Sequence, residues 1–227
     1  MNKISIIIPT YNRRHLIGQT LNSILGQTLP PHEIIVVDDG STDGTPEWLA
    51  QTYGSQVKVV RNLVKGPGAA RNMGFSLSTG DYIKFFDSDD WMSPNSLEVQ
   101  LKALQETGKS FVTSPYRYGR EAHGEWMAAD GCLINHHGFP QHKPLTHWMV
   151  WGLFICIPTM LFRRSFIDKV GPWPEEMVTS EDWAYLWRMA MLEPFPAHAP
   201  GCFFYYRLHE AQSTGANLND LTRDREK

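Results

Sequence analysis

Three carboxylates fall within four positions of the segment IKFFDSDDW, Ile83 to Trp91: Asp87, Asp89 and Asp90 follow directly on an apolar run fit for a buried strand. Like charges this close repel and raise one another's pKa, so something positive is expected among them: a metal ion, an arginine or a helix N-terminus. Their oxygens suit a hard divalent cation, Mg²⁺ or Mn²⁺, and a strand end fixes one carboxylate while leaving room for a diphosphate and water. The competing reading is a solvated acidic turn ahead of the helix that Ser93 and Pro94 announce.

A second acidic loop, Asp38-Asp39-Gly40-Ser41-Thr42-Asp43, is made of turn-forming residues, and its carboxylates can also accept hydrogen bonds from a base N–H or from ribose hydroxyls. Tyr11 either stacks on a flat base or simply packs. GPGAAR, Gly66 to Arg71, fails as a dinucleotide fingerprint, because Arg71 stands at the third glycine position and the loop follows a third strand rather than the first. Arg71 then reads as a cation for a base carbonyl or phosphate, against a surface salt bridge. In Ser180-Glu181-Asp182-Trp183 two acids occupy a first helical turn, where the helix dipole alone favours them. Near a metal site, one of them would take a proton from an attacking hydroxyl. His136, His137, His142 and His147 lack zinc-ligand spacing. His209, after the last expected strand, is better placed to reach a phosphate or metal, with a surface histidine as the alternative.

These residues need a scaffold, and the hydrophobic pattern predicts one. KISIIIP from Lys3 carries its β-branched residues without polar alternation, as in a strand buried on both faces. A helix follows from about Arg13 to Leu25, with Asn12 as its cap and Leu16, Thr20, Leu21, Ile24 and Leu25 on one face. Glu33 to Val37 is a second strand, Thr45-Pro46 to Gly54 a helix, VKVVRN a third strand, GPGAARNMGFSLSTG a loop feeding a helix, and DYIKFF a fourth strand. A further helix runs from Pro94 to near Gly108. Such alternation predicts an α/β fold with a mostly parallel sheet, which holds ligands outside the carboxyl ends of its strands. Pro9 to Asn12, Asp38 to Asp43 and Asp87 to Asp90 should therefore converge on one sheet edge. After Phe111 to Tyr118 the pattern weakens into a loop-rich region. A strand over Ile157 to Phe162, helices near Ser165 to Val170 and Ser180 to Leu192, a strand over Cys202 to Arg207 and a loose polar tail from 216 complete the prediction.

Composition narrows the function classes. The 227 residues suit one domain, with a nucleotide-binding half over 1–110 and an acceptor-binding half over 111–215. A net charge of -3, from 21 basic and 24 acidic side chains, supplies no basic field for a nucleic-acid backbone. Cys132, Cys156 and Cys202 are odd in number and widely spaced, which points to a reducing compartment and a cytoplasmic location. The apolar segment WMVWGLFICIP, Trp148 to Pro158, falls short of the roughly 20 residues needed to span a bilayer. It suits peripheral membrane contact or an acceptor groove.

Read in order, SIIIPTYN, VVDDGSTDGT, GPGAARNMG, FFDSDD and SEDW resemble the family 2 glycosyltransferases, inverting enzymes of the GT-A fold. The resemblance is dense from Lys3 to about Leu104 and returns at Glu181 and His209. It implies a Rossmann-like sheet and transfer of a sugar from a nucleoside diphosphate sugar, UDP-linked most commonly, to a hydroxyl of a glycan or lipid-linked acceptor. Pro9, Thr10 and Tyr11 would form the nucleotide floor, Asp39 and Arg71 would contact base or ribose, and Asp87 with Ser88 would lean towards the ribose. Asp89, with His209 closing over the diphosphate, would hold Mn²⁺ or Mg²⁺, and Asp182 would be the general base with Glu181 in support. No Q-x-x-R-W follows Asp182, which departs from processive polymer synthases and implies single transfers. Two other classes remain open on these residues: a nucleotide-sugar-binding module without catalysis, and a nucleotidyltransferase, which the lack of a glycine-rich loop after the first strand disfavours.

Overall fold

The computed structural model describes residues 2–122, 125–134, 143–150, 156–177 and 179–207, with backbone alone for 120–122 and 125–134. Its first half alternates as the hydrophobic pattern requires: β1 (Ile4–Thr10), α1 (Ile17–Leu25), β2 (Glu33–Asp38), α2 (Thr45–Tyr53), β3 (Lys58–Arg61), α3 (Pro67–Leu77) and β4 (Tyr82–Phe85). There follow β5 (Trp91–Met92), α4 (Ser96–Thr107), β6 (Phe111–Thr113), β7 (Tyr116–Ala122), β8 (Glu125–Ile134), α5 (Leu145–Val150), β9 (Met160–Arg163), α6 (Arg164–Val170), α7 (Glu181–Leu192), β10 (Ala197–His198) and β11 (Phe204–Arg207).

A seven-stranded sheet takes the order β10-β6-β9-β4-β1-β2-β3, in which only β9 runs antiparallel to its neighbours. β1 lies between β4 and β2 and is buried on both faces, which is why the sequence shows no alternation there. Ile4, Ile6 and Ile8 pack with Ile17, Leu21 and Ile24 of α1, while Ile7 joins Phe85, Phe162 and Tyr185 on the other side. Pro46 in the first turn of α2 and Gly54 at its end bound that helix where the sequence placed them.

Two expectations fail for identifiable reasons. Asn12 does not cap α1: it sits at φ 52 and accepts the Thr42 N–H at 2.8 Å, tying the end of β1 to the loop after β2. Residues 13–16 form a turn, and the regular helix starts at Ile17. Within the stretch expected to be loop-rich, the described residues also form the β7–β8 hairpin, part of a second sheet ordered β5-β11-β7-β8. Its partners come from Trp91–Met92 and Phe204–Arg207, so no local pattern reveals it. The seam is tight: Trp91 stacks on Tyr205 at 4.8 Å, and a Cβ at Gly119 would lie 2.3 Å from the Trp91 ring. Similarly, the strand expected from Ile157 begins at Met160, after a 3₁₀ turn over Ile157–Thr159.

Candidate active site

The carboxyl ends of β1, β2 and β4 open on a cleft of about 960 Å³. Pro9, Thr10 and Tyr11 reach it from β1, Asp39 from the end of β2, Lys65, Gly66, Pro67, Ala70 and Arg71 from the loop and start of α3, and Asp87 to Asp90 from the end of β4. Its opposite side is formed by Cys156 to Pro158, by Thr179 to Trp183 at the start of α7, and by Tyr118 and Tyr206 of the second sheet. The convergence expected of a parallel sheet is therefore present, with a further wall brought from the second half of the chain.

The positive charge required among the aspartates comes from two arginines. Arg71, 6% exposed, donates from Nη2 to Asp87 at 3.1 Å and from Nη1 to Glu181 at 2.8 Å, with its guanidinium 4.6 Å from the centre of the Trp173 ring. It thus links the end of β4 to the start of α7. Arg13 meets Asp89 at 3.3 Å. Asp90 is buried and accepts the Arg207 N–H at 2.9 Å.

Burial drives the titration of these acids. It pushes Asp87 up to about 6, Arg71 pulling down and Asp89 and Asp182 pushing up. It pushes Asp90 well above the usual carboxylate range, reinforced by Asp89 and Asp87. It also raises Asp182, against the Trp183 N–H that donates to its Oδ1 at 2.8 Å. A raised carboxylate at the mouth of a cleft is the condition a general base needs near neutral pH.

Asp39 organises the nucleotide side. Its carboxylate accepts the Asn62 side-chain amide at 2.7 Å and the Gly66 N–H at 3.1 Å, holding the β3–α3 loop beside the cleft. Tyr11 is 49% exposed and lines the cleft. The buried Thr10 hydroxyl has no hydrogen-bond partner among the described residues. Asn12 and Ser180, the two non-glycine residues with positive φ among those described, flank Tyr11 and Glu181. Left-handed backbone at such residues is rare and clusters at functional sites.

Pro9, Thr10, Tyr11, Asp39, Arg71, Asp87, Ser88, Asp89, Glu181 and Asp182 thus all line one cleft, whereas His209, His136, His137 and His142 lie outside the described residues. The end of the apolar segment Trp148 to Pro158, expected to touch a membrane or line an acceptor groove, lines the cleft with Cys156, Ile157 and Pro158. Sequence reading missed Arg13, assigned to a helix, and Asn62, Trp183, Tyr118 and Tyr206. Arg13 was detectable from its place beside the motif; the others carry no local signal. No group of three or more ligating side chains occurs among the described residues. The oxygen set of Asp87 and Asp89 still fits Mg²⁺ or Mn²⁺, which need only one or two carboxylates when a diphosphate supplies the rest.

The model of the family described as glycosyl transferase family 2 matches residues 5–171. This chain belongs to that family. It is 28% identical over 97% of its length to the UDP-Glc:alpha-D-GlcNAc-diphosphoundecaprenol beta-1,3-glucosyltransferase WfgD of Escherichia coli, covering 83% of that protein. An uncharacterized glycosyltransferase of Rickettsia bellii is 39% identical over 79% of this chain, which spans 25% of that relative's length; the share is 29% for a Rickettsia conorii relative at 32% identity. Among solved structures, S. aureus TarS in complex with UDP-GlcNAc superposes with a TM-score of 0.76 over 95% of this chain and 61% of TarS, at 23% identity. The fold is therefore the GT-A-like α/β architecture. No helix among the described residues is long and apolar enough to cross a membrane.

Proposed function

We propose that this chain is an inverting glycosyltransferase that moves a sugar from a UDP-linked donor to a hydroxyl of a glycan or lipid-linked acceptor. The observation that carries this reading is the shared cleft in which Asp87 and Asp89 from β4 face Asp182 from α7, with Arg71 joined to both sides. The E. coli relative, named for a UDP-glucose donor and a diphosphoundecaprenol-linked acceptor, supports the donor and acceptor classes, and the TarS complex with UDP-GlcNAc supports the donor class.

Tyr11 stacks on the base, Thr10 and Asp39 hydrogen-bond its edge or the ribose, and Asp87 receives the ribose hydroxyls. Asp87 and Asp89 would hold Mg²⁺ or Mn²⁺, which when bound would supply positive charge for the diphosphate leaving group. His209 assists at the diphosphate. Asp182 accepts the proton of the acceptor hydroxyl as that oxygen bonds to the anomeric carbon, and the bond to the diphosphate breaks on the opposite face, inverting the centre. Glu181, neutralised by Arg71, fixes the first turn of α7 so that Asp182 meets the acceptor. The two-carboxyl arrangement of retaining hydrolases, with about 5 Å between the groups around the sugar, is not required. The same site acts at the inner membrane surface when the acceptor is lipid-linked.

Thermal unfolding with UDP, GDP, dTDP and ADP, each with and without Mn²⁺, tests the reading. A nucleotide at 100 times its Kd adds about 2.7 kcal/mol, or about 5–10 °C in a chain of this size. The expected result is a metal-dependent shift with UDP that Asp89→Ala abolishes without lowering the Tm of the free protein. A metal-independent shift, or a Mn²⁺-dependent one that survives in Asp89→Ala, overturns the metal assignment; no shift with any nucleotide overturns the donor reading.

A further inference from the structure

β4 carries a lysine three residues ahead of Asp87, and Lys84 is fully buried. Its neighbours Ile83 and Phe85 point into one core, whereas Tyr82 and Phe86 belong to the other. Lys84 shares the second side, with its Nζ 4.1 Å from the centre of the Phe204 ring and 5.6 Å from that of Phe86. All three of its hydrogen bonds go to uncharged oxygens: Gln100 Oε1 at 3.2 Å, Pro158 O at 2.7 Å and Met160 O at 3.0 Å. Burial pushes its pKa well below the usual lysine value. A polar head in such a place is costly, and an apolar side chain of equal length would remove the cost.

The bonds themselves indicate its use. The β4–β9 ladder pairs Tyr82 with Arg163 and Ile83 with Phe162 and goes no further, although β9 continues beside β6 to Met160, where the 3₁₀ segment Ile157–Thr159 precedes it. Lys84 reaches across that gap to the carbonyls of Pro158 and Met160. Gln100 from α4 takes the carbonyl between them, donating from Nε2 to Thr159 O at 2.7 Å and to Ser114 Oγ at 3.0 Å. Three successive carbonyls are thus held from behind by one side-chain pair. The front of the same segment, Cys156, Ile157 and Pro158, lines the cleft. Cys156 is buried there and lines the same cleft as Asp87, Asp90 and Asp182; burial first, and then the charges of those carboxylates, raise its thiol pKa.

We propose that Lys84 is a positioning residue: with Gln100 it clamps the segment 156–160 and so fixes the cleft wall on the Asp182 side, the acceptor side of the transfer site. The acceptor assignment rests on the function proposed above; the clamp does not. Lys84 touches no substrate and acts only through the wall.

The test replaces Lys84→Met and follows alkylation of Cys156 by N-ethylmaleimide with peptide mapping, alongside amide hydrogen exchange in β1 and β2 and UDP affinity with Mn²⁺. Expected are a rise of at least ten-fold in the Cys156 labelling rate, exchange in β1 and β2 unchanged within two-fold, and a UDP Kd within two-fold of the parent. Gln100→Leu, which keeps both Lys84 bonds to backbone, should give a smaller rise in the same direction and carries the test if Lys84→Met does not fold. Unchanged Cys156 labelling, or a rise matched by equal opening of β1 and β2, overturns the clamp. A loss of UDP affinity equal to the labelling gain overturns the acceptor-side placement. Absence of UDP binding in the parent protein refutes the donor reading and leaves the labelling ratio to decide the clamp.

Discussion

Replacing Arg71→Met removes the cation that joins the donor side of the cleft to the start of α7. Methionine keeps an unbranched chain of similar length and a sulfur that can lie on Trp173, so the stacking is largely conserved and the change isolates the charge. Two carboxylates lose their partner, and their surroundings differ. The Glu181 bond is short at 2.8 Å between side chains 7% and 11% exposed, so its loss falls in the range of a broken buried pair, about 3–4 kcal/mol. Asp87 has a side chain 32% exposed and its pairing is screened, which limits that contribution to about 1 kcal/mol. The Asp87 part depends on pH: with the folded pKa raised to about 6 from 3.8, this carboxyl favours the folded state fully below 3.8 and loses that contribution as the pH rises through 6. At pH 5 it is mostly protonated and needs no cation. The expected deficit is therefore about 4–5 kcal/mol at pH 8 and about 3–4 kcal/mol at pH 5, or a Tm lower by about 8–20 °C at pH 8 and 2–4 °C less affected at pH 5. Thermal denaturation of both proteins at the two pH values measures this. A deficit below about 2 kcal/mol, or one of equal size at both pH values, would refute the role of Arg71 as a buried counter-ion.

Other consequences of the site are directly measurable. Asp182→Asn retains an acceptor for the Trp183 N–H but cannot take a proton, so transfer should fall by about 10²–10⁴-fold while UDP still binds; transfer at the parental rate removes Asp182 as the base. Because burial raises both Asp87 and Asp182, their active anionic forms appear as the pH rises, and the acid limb of the transfer rate should lie near pH 6, well above the range of an ordinary carboxylate; a rate flat down to pH 4 contradicts this. Gly74 sits where α3 crosses the sheet, and an added Cβ would come 2.3 Å from Ile7 Cγ2 and 3.2 Å from Val37 Cγ2. Gly74→Ala should therefore destabilise by about 1–3 kcal/mol in urea unfolding despite its better helix propensity, and a gain in stability would show that α3 can lift off the strands without penalty.

What the sequence alone determined follows from local rules. β-Branched runs without polar alternation within Ile4–Thr10 and Glu33–Asp38, Pro46 and Gly54 around α2, and acids placed just past strand ends identify buried parallel strands whose carboxyl edge holds the candidate site. Pro9, Asp39, Asp87 and Asp89 were legible for that reason: each is at most a few residues from the strand that carries it. The tertiary structure decided everything that depends on residues distant in the chain. It paired Arg71 with Glu181 across 110 positions, satisfied Asp90 from Arg207, turned Asn12 from a helix cap into a strap on the β2 loop, and drew β5, β7, β8 and β11 into a sheet that no single stretch encodes. It also gave a lysine in a central strand three neutral acceptors instead of a carboxylate. The physical reason is common to all: burial and charge compensation depend on what packs against a residue, while periodicity and capping depend only on what lies beside it.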